Sequence, residues 1–123
     1  MENLEWIRLF KARTKQFAMD VIRFCSKLPN KQPFWVISGQ LIRSSTSVAS
    51  NYRSSCRAQS RPAFISKMSA VEEEADESEF WLEVLDELKT RPNSELARLL
   101  KEAGEILAVV VKSKKTVRLG VSS

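Results

Sequence analysis

Histidine is absent from this 123-residue chain. Its absence removes Ser-His-Asp and Cys-His nucleophile systems, histidine general bases and His-ligated metal sites. Cysteine is nearly absent as well. Cys25 and Cys56 are too few for a disulfide scaffold or a four-thiolate zinc site, and both read as small thiols on helical segments. Three Gly and four Pro cannot supply the many tight turns of a sandwich or barrel. The longest apolar run, Ile106 to Val111, falls far short of the ~18 residues that span a bilayer. The first residues, Met1 to Glu5, lack a basic stretch leading into an apolar one and so do not read as a secretory signal. The expectation is a cytoplasmic protein with no membrane segment.

What the chain does contain is an ordinary share of apolar (43%) and charged (28%) residues, enough for one domain with a real core. The net charge of +5 conceals a segregation. Residues 1–71 carry 12 Lys/Arg against 3 Asp/Glu, residues 72–111 carry 4 against 12, and residues 112–123 add four more cations. Opposite blocks can neutralise each other within or between subunits, or the basic part can face a polyanion.

Hydrophobic spacing predicts four helices and no strand. Ile7, Phe10, Thr14, Phe17, Val21, Phe24 and Leu28 alternate at three and four residues, the stripe of a bundle helix. Leu28-Pro29 ends it, because Pro disfavours the α conformation in the residue before it. Pro33 suits a first helical turn, and Ile37, Leu41, Ser44, Val48 and Asn51 or Tyr52 form a second stripe. That stripe runs through Ser44-Ser45-Thr46-Ser47, whose hydroxyls compete for backbone hydrogen bonds but whose small size lets helices approach closely. Ser60 is a candidate N-cap with Pro62 in the first turn. Phe64, Met68, Val71, Ala75, Ser78, Leu82 and Leu85 follow as a third stripe. After Thr90 to Asn93, the fourth predicted stripe is Leu96, Leu100, Ala103, Leu107 and Val110. The predicted fold is all-α, a single-domain antiparallel up-down-up-down four-helix bundle over residues 1–118. Its helices are expected over about 4–28, 33–55, 61–89 and 93–115, with a flexible tail over 119–123. Trp6, Phe34, Trp35, Phe80 and Trp81 exceed what four core stripes absorb, which points to self-association.

Two charged clusters are candidates for chemistry. Glu74/Glu77 and Glu83/Asp86 on the third helix have the i, i+3 spacing of a carboxylate magnesium site, but such sites draw pairs from two helices and these lie on one. Di-iron bundles need Glu-x-x-His motifs, which this chain cannot supply. Glu77 adjoins the core position Ser78 and is expected to be partly buried, binding backbone or hydroxyl groups of the second helix. Among the cations, Arg8, Lys11 and Lys15 share one face of the first helix, and Arg43, Arg53, Arg57 and Arg61 surround the second helix and its exit. Arginine's planar fork engages two phosphate oxygens at once, although charge of this kind also serves solubility alone. No aromatic-rich RNA-binding strand and no Gly-x-x-Gly loop is present.

Three stretches carry a family resemblance. Gln40-Leu41-Ile42-Arg43-Ser44-Ser45-Thr46-Ser47-Val48-Ala49-Ser50-Asn51-Tyr52 resembles "Q-L-x-R-A-x-x-S-I-x-x-N-I", Arg57 to Ile65 resembles "R-x-x-S-x-x-x-F-I", and Glu74 to Leu82 resembles "E-A-D-E-x-x-x-W-L". These patterns are similar to those of the four-helix-bundle proteins encoded in intervening sequences of 23S ribosomal RNA genes, to which the accessory protein of diversity-generating retroelements is related. The resemblance is specific over about residues 36–88. It implies a bacterial cytoplasmic bundle that assembles as a ring-like homopentamer and has no known enzymatic activity. In the retroelement relative it implies a basic surface that meets nucleic acid and the reverse transcriptase. Many members read "N-I-x-E-G" where this chain has Asn51 to Ser55, so the Glu and Gly are missing. Asn51, Ser60, Glu74, Glu77 and Trp81 carry over as structural positions.

The leading expectation is a non-enzymatic oligomer that binds RNA through Arg8, Lys11, Lys15, Arg43, Arg53, Arg57 and Arg61, with no cofactor, metal or small-molecule substrate. The alternative is a protein-binding scaffold that never touches nucleic acid. A third reading is magnesium-dependent hydrolysis on the acidic helix.

Overall fold

The computed structural model describes residues 4–120. Four helices follow one another: α1 (Leu4–Cys25), α2 (Phe34–Ser55), α3 (Arg61–Leu88) and α4 (Ser94–Arg118). Among the described residues there is no strand, and no helix is long and apolar enough to cross a membrane. Each helix packs against its neighbours in sequence, α4 closes onto α1, and the diagonal pairs do not approach. The contacts run in opposing register. Arg13 and Asp20 of α1 and Lys27 just past its end meet Glu102, Arg98 and Glu95 of α4 in descending order, and Phe10 meets Tyr52 while Cys25 meets Ser38. Neighbouring helices are therefore antiparallel, as four helices joined by short loops require.

The stripes of α1, α2 and α3 fall where spacing predicts. Phe10, Thr14, Phe17, Val21 and Phe24 are buried, with Ile7 and Leu28 half-buried at the ends. In α2 the last core position is Tyr52, whose ring meets Phe10 edge-on at 4.8 Å; Asn51 is half-buried and donates to the Ser47 carbonyl at 2.9 Å. The hydroxyl run of α2 is helical because its side chains bond back into the helix. Ser44, Ser45 and Thr46 donate to the carbonyls of Leu41, Ile42 and Ile42. Ser44 also lies 2.9 Å from the Ser78 hydroxyl of α3, so two small polar groups satisfy each other inside the core.

In α4 the observed core corrects the prediction. Leu99 and Ile106 are buried beside Leu96, Ala103 and Val110, whereas Leu100 and Leu107 are half-buried at the flank. Both readings share Leu96, Ala103 and Val110, and the helix turns toward the other pair of leucine-like side chains between them.

The ends also have local causes. The α-helical bonding of α1 stops at Cys25, a turn before Leu28, where Lys27 and Leu28 switch to tighter three-residue bonds on Phe24 and Cys25 ahead of Pro29. Ser60 accepts from the Ala63 amide at 3.1 Å and caps α3, and Asn93 accepts from Leu96 at 3.0 Å and caps α4. The C-terminal end of α4 runs on to Arg118, and Gly120 follows at φ +73°, a left-handed conformation that suits glycine. Residues 121–123 of the expected tail lie outside the described residues.

Candidate nucleic-acid interface

Between α1 and α2 runs an open groove of about 570 Å³. Its floor is made of short or apolar side chains, Ala12, Ala18, Met19 and Ile22 from α1 and Thr46, Ala49 and Ser50 from α2. Small residues on facing helices leave a depression that long flanking side chains can rim. The rim is cationic: Arg8, Lys11 and Lys15 stand on one side and Arg53 and Arg57 on the other. The antiparallel pairing explains the meeting, since the start of α1 lies beside the end of α2. Five of the seven cations nominated from sequence thus converge on one groove.

Their electrostatic state differs. Arg8 is held by Glu5 one turn earlier, at 2.6 Å on the exposed surface. Lys11, Lys15, Arg53 and Arg57 are exposed and form no ion pair among the described residues. Four unneutralised cations around a shallow trough attract an anion by summed field rather than by any single contact.

The other two nominated cations lie elsewhere. Arg43 sits on the α2–α3 seam. It bonds Glu77 through one terminal nitrogen and Glu74 through the other at 3.2 Å, and its Nε donates to Gln40 at 3.2 Å. Trp81 donates its indole N–H to the same Glu77 carboxylate at 3.2 Å. Arg43 holds the Glu77 carboxyl below the ordinary glutamate range, a shift that burial opposes and the Trp81 bond supports. Glu77 is half-buried, as the sequence suggests. Its partner from α2 is a guanidinium rather than a hydroxyl or backbone group, because Ser44 is taken by Ser78. The Gln, Arg, Glu, Glu and Trp of the family-like stretches therefore form one network that joins α2 to α3. Arg61 opens α3 and lies against Gly120, beyond the end of α4.

The acidic face of α3 is divided among separate partners. Glu74 and Glu77 meet Arg43, Asp86 meets Lys89 at 2.6 Å, and Glu72 meets Lys114 at 2.6 Å. Among the described residues no three acids or thiols converge as metal ligands would. Glu79 has no ion-pair partner there, and burial first, then Glu83 and Asp76, raise its pKa above the ordinary 4.5. The folded state thus disfavours its ionisation. Stability linked to this group is fully present below pH 4.5 and is lost as pH rises through the folded value. Glu79→Gln should therefore raise the melting temperature at pH 7, and the gap to the parent chain should close below about pH 4; a gap that persists there would assign the gain to packing instead.

Two features were not singled out from sequence. One is the partly buried bidentate pair of Arg13 with Glu102, both bonds 2.7 Å, with Glu105 at 2.8 Å, which ties α1 to α4. The other is the groove floor, whose alanines and hydroxyls carry no periodic signal of their own.

The arrangement defines a small helical-bundle protein with a polar α2–α3 seam on one side and a cationic groove on another. The chain belongs to the 23S rRNA-intervening sequence protein family, whose profile matches residues 10–112. A crystal structure of a protein of unknown function from the S23 ribosomal protein family of Bacteroides thetaiotaomicron superposes with a TM-score of 0.80 at 31% identity, covering 89% of this chain and 98% of that one. No curated protein matches the chain.

Proposed function

We propose that this protein is a non-enzymatic RNA-binding bundle whose α1–α2 groove grips phosphates. The observation that carries the reading is the meeting of Lys11, Lys15, Arg53 and Arg57 around one groove, none of them neutralised within the described chain. Long flexible cations over a floor without aromatic rings favour phosphate attraction over base stacking, so recognition should be nearly blind to sequence. What supports a non-catalytic reading is that the chain has no histidine and that, of the two acid pairs on α3, Glu74 and Glu77 are engaged with Arg43 and Asp86 with Lys89. Exposed Trp35, Val36, Phe80 and Leu88 support self-association as part of the same reading.

Fluorescence anisotropy of a labelled structured RNA across a salt series tests the proposal, with light scattering reporting the mass in solution. The logarithm of affinity should fall linearly with the logarithm of salt, with a slope of roughly −3 to −4 for four phosphate contacts. An RNA that fails to bind at low salt would return the groove to solubility and favour a protein-binding scaffold.

A further inference from the structure

The groove opens at one end of the bundle, and that end is almost free of acids. The starts of α1 and α3 and the ends of α2 and α4 meet there, because the helices are antiparallel. No Asp or Glu occurs anywhere between Asp20 and Glu72, or after Glu105. Of the described acids Glu5 lies at this end, paired with Arg8, and Glu72 reaches its inner margin, where it is paired with Lys114 at 2.6 Å. Around the corner from the groove stand Arg61 and Lys67 of α3 and Lys112, Lys115 and Arg118 of α4, all exposed and all without an ion pair among the described residues. The Arg61 guanidinium lies within 4 Å of where a side chain on Gly120 would begin, so the α3 and α4 cations adjoin.

Helix dipoles account for part of this set and not the rest. Lys115 and Arg118 complement the negative C-terminal end of α4. Arg61 does the reverse: it opens α3, where the dipole favours acids, and that first turn contains none, while Lys67 follows one turn later. Mutual repulsion among five cations adds to the cost. A polyanion removes both penalties at once.

We infer that the basic end of the bundle is a second stretch of the same binding surface, taking the phosphodiester backbone of a duplex RNA as it leaves the α1–α2 groove. This deepens the RNA-binding reading and rests on it. The geometry gives a length requirement. From Arg8 to Lys15 the groove rim extends about 10 Å at 1.5 Å per residue, which a hairpin-closed RNA duplex of about five base pairs covers at roughly 3 Å per A-form step. The far side of a four-helix bundle lies roughly another 10 Å or more away, given interaxial distances of 8–10 Å. A duplex of about 15 base pairs reaches both stretches.

The test compares those two duplex lengths at about 0.15 M salt, where the Debye length of about 8 Å keeps the two stretches electrostatically separate. The triple variant Arg61→Gln, Lys115→Gln, Arg118→Gln should weaken binding of the long duplex at least tenfold and flatten its salt slope by about two to three. Affinity for the short duplex should stay within about twofold, and melting curves should show an intact fold. Equal losses on both lengths, or no loss on the long duplex, would overturn the inference while leaving groove binding in place. If the parent chain binds neither duplex at low salt, the RNA-binding reading itself falls.

Discussion

Leu99→Ala should destabilise the protein by about 2–5 kcal/mol, with a fall in melting temperature on the order of 10 °C, whereas Leu100→Ala should cost less than half as much. The two leucines are adjacent in sequence and identical in chemistry, so the difference isolates position. Leu99 is fully buried in the core of the bundle. Removing its side chain opens a cavity that helices braced by Leu96, Ala103 and Ile106 cannot collapse to fill. Leu100 is half-buried at the flank of the core. Its truncation loses transfer free energy with little cavity behind it. Thermal unfolding followed by circular dichroism reads both. Equal losses would mean that α4 is rotated by a fraction of a turn from the orientation described above.

That pair also shows how far periodicity carries. The i+3/i+4 pattern of α4 can begin with either step from Leu96, and the ladders through Leu99 and Leu100 share every second member. Which one faces inward depends on how the helix docks against α1 and α3. Arg13 settles part of this, by drawing Glu102 and Glu105 to the α1 side. An ion pair between residues 89 apart in sequence leaves no local trace. In α1 and α3 there is no such ambiguity, because each apolar stripe has only one path through Phe17 and Val21 or through Val71 and Ala75. The polar member Thr14 and the Ser44–Ser78 pair fit the stripes because small hydroxyls can bond to their own helix or to each other.

The candidate site was legible as composition and only partly as geometry. An excess of cations over residues 1–71 marks the surface, and the spacing of Arg8, Lys11 and Lys15 gives one rim of it. The opposite rim needs the antiparallel pairing of α1 with α2, which brings Arg53 and Arg57 alongside. Arg43 illustrates the limit. By sequence it is one more arginine on α2, ten residues from Arg53. In the fold it faces α3 and is committed to Glu74 and Glu77. The aromatic excess divides in a similar way. Trp6 stacks on Phe10 at 5.2 Å, and Phe34 and Trp81 lean on the core, leaving Trp35 and Phe80 exposed.

The distinction between Arg43 and the groove cations yields the second large effect. Replacing Lys11, Lys15, Arg53 and Arg57 together by Glu should lower RNA affinity on the order of a thousandfold at about 0.1 M salt, since each lost phosphate contact removes close to one decade per decade of salt. All four side chains are exposed and unpaired within the described chain. The variant should keep the helical spectrum and melt within a few degrees of the parent, because surface changes away from such partners cost about 0.5 kcal/mol or less. Arg43→Ala should behave in the opposite way. It leaves the groove cations in place and should change affinity by less than about threefold, but it strips Glu77, Glu74 and Gln40 of their shared donor. About half of the Arg43 side chain is exposed (45%), so solvent screening keeps the stability loss small. Binding and melting measured on the two variants separate the roles without reference to any particular RNA. If Arg43→Ala lost affinity as the fourfold reversal does, the polyanion would be meeting the α2–α3 seam rather than the groove. If the reversal left affinity intact, the cations of α1 and α2 would serve solubility, and the exposed aromatic surface around Trp35 and Phe80 would become the place to look for a partner.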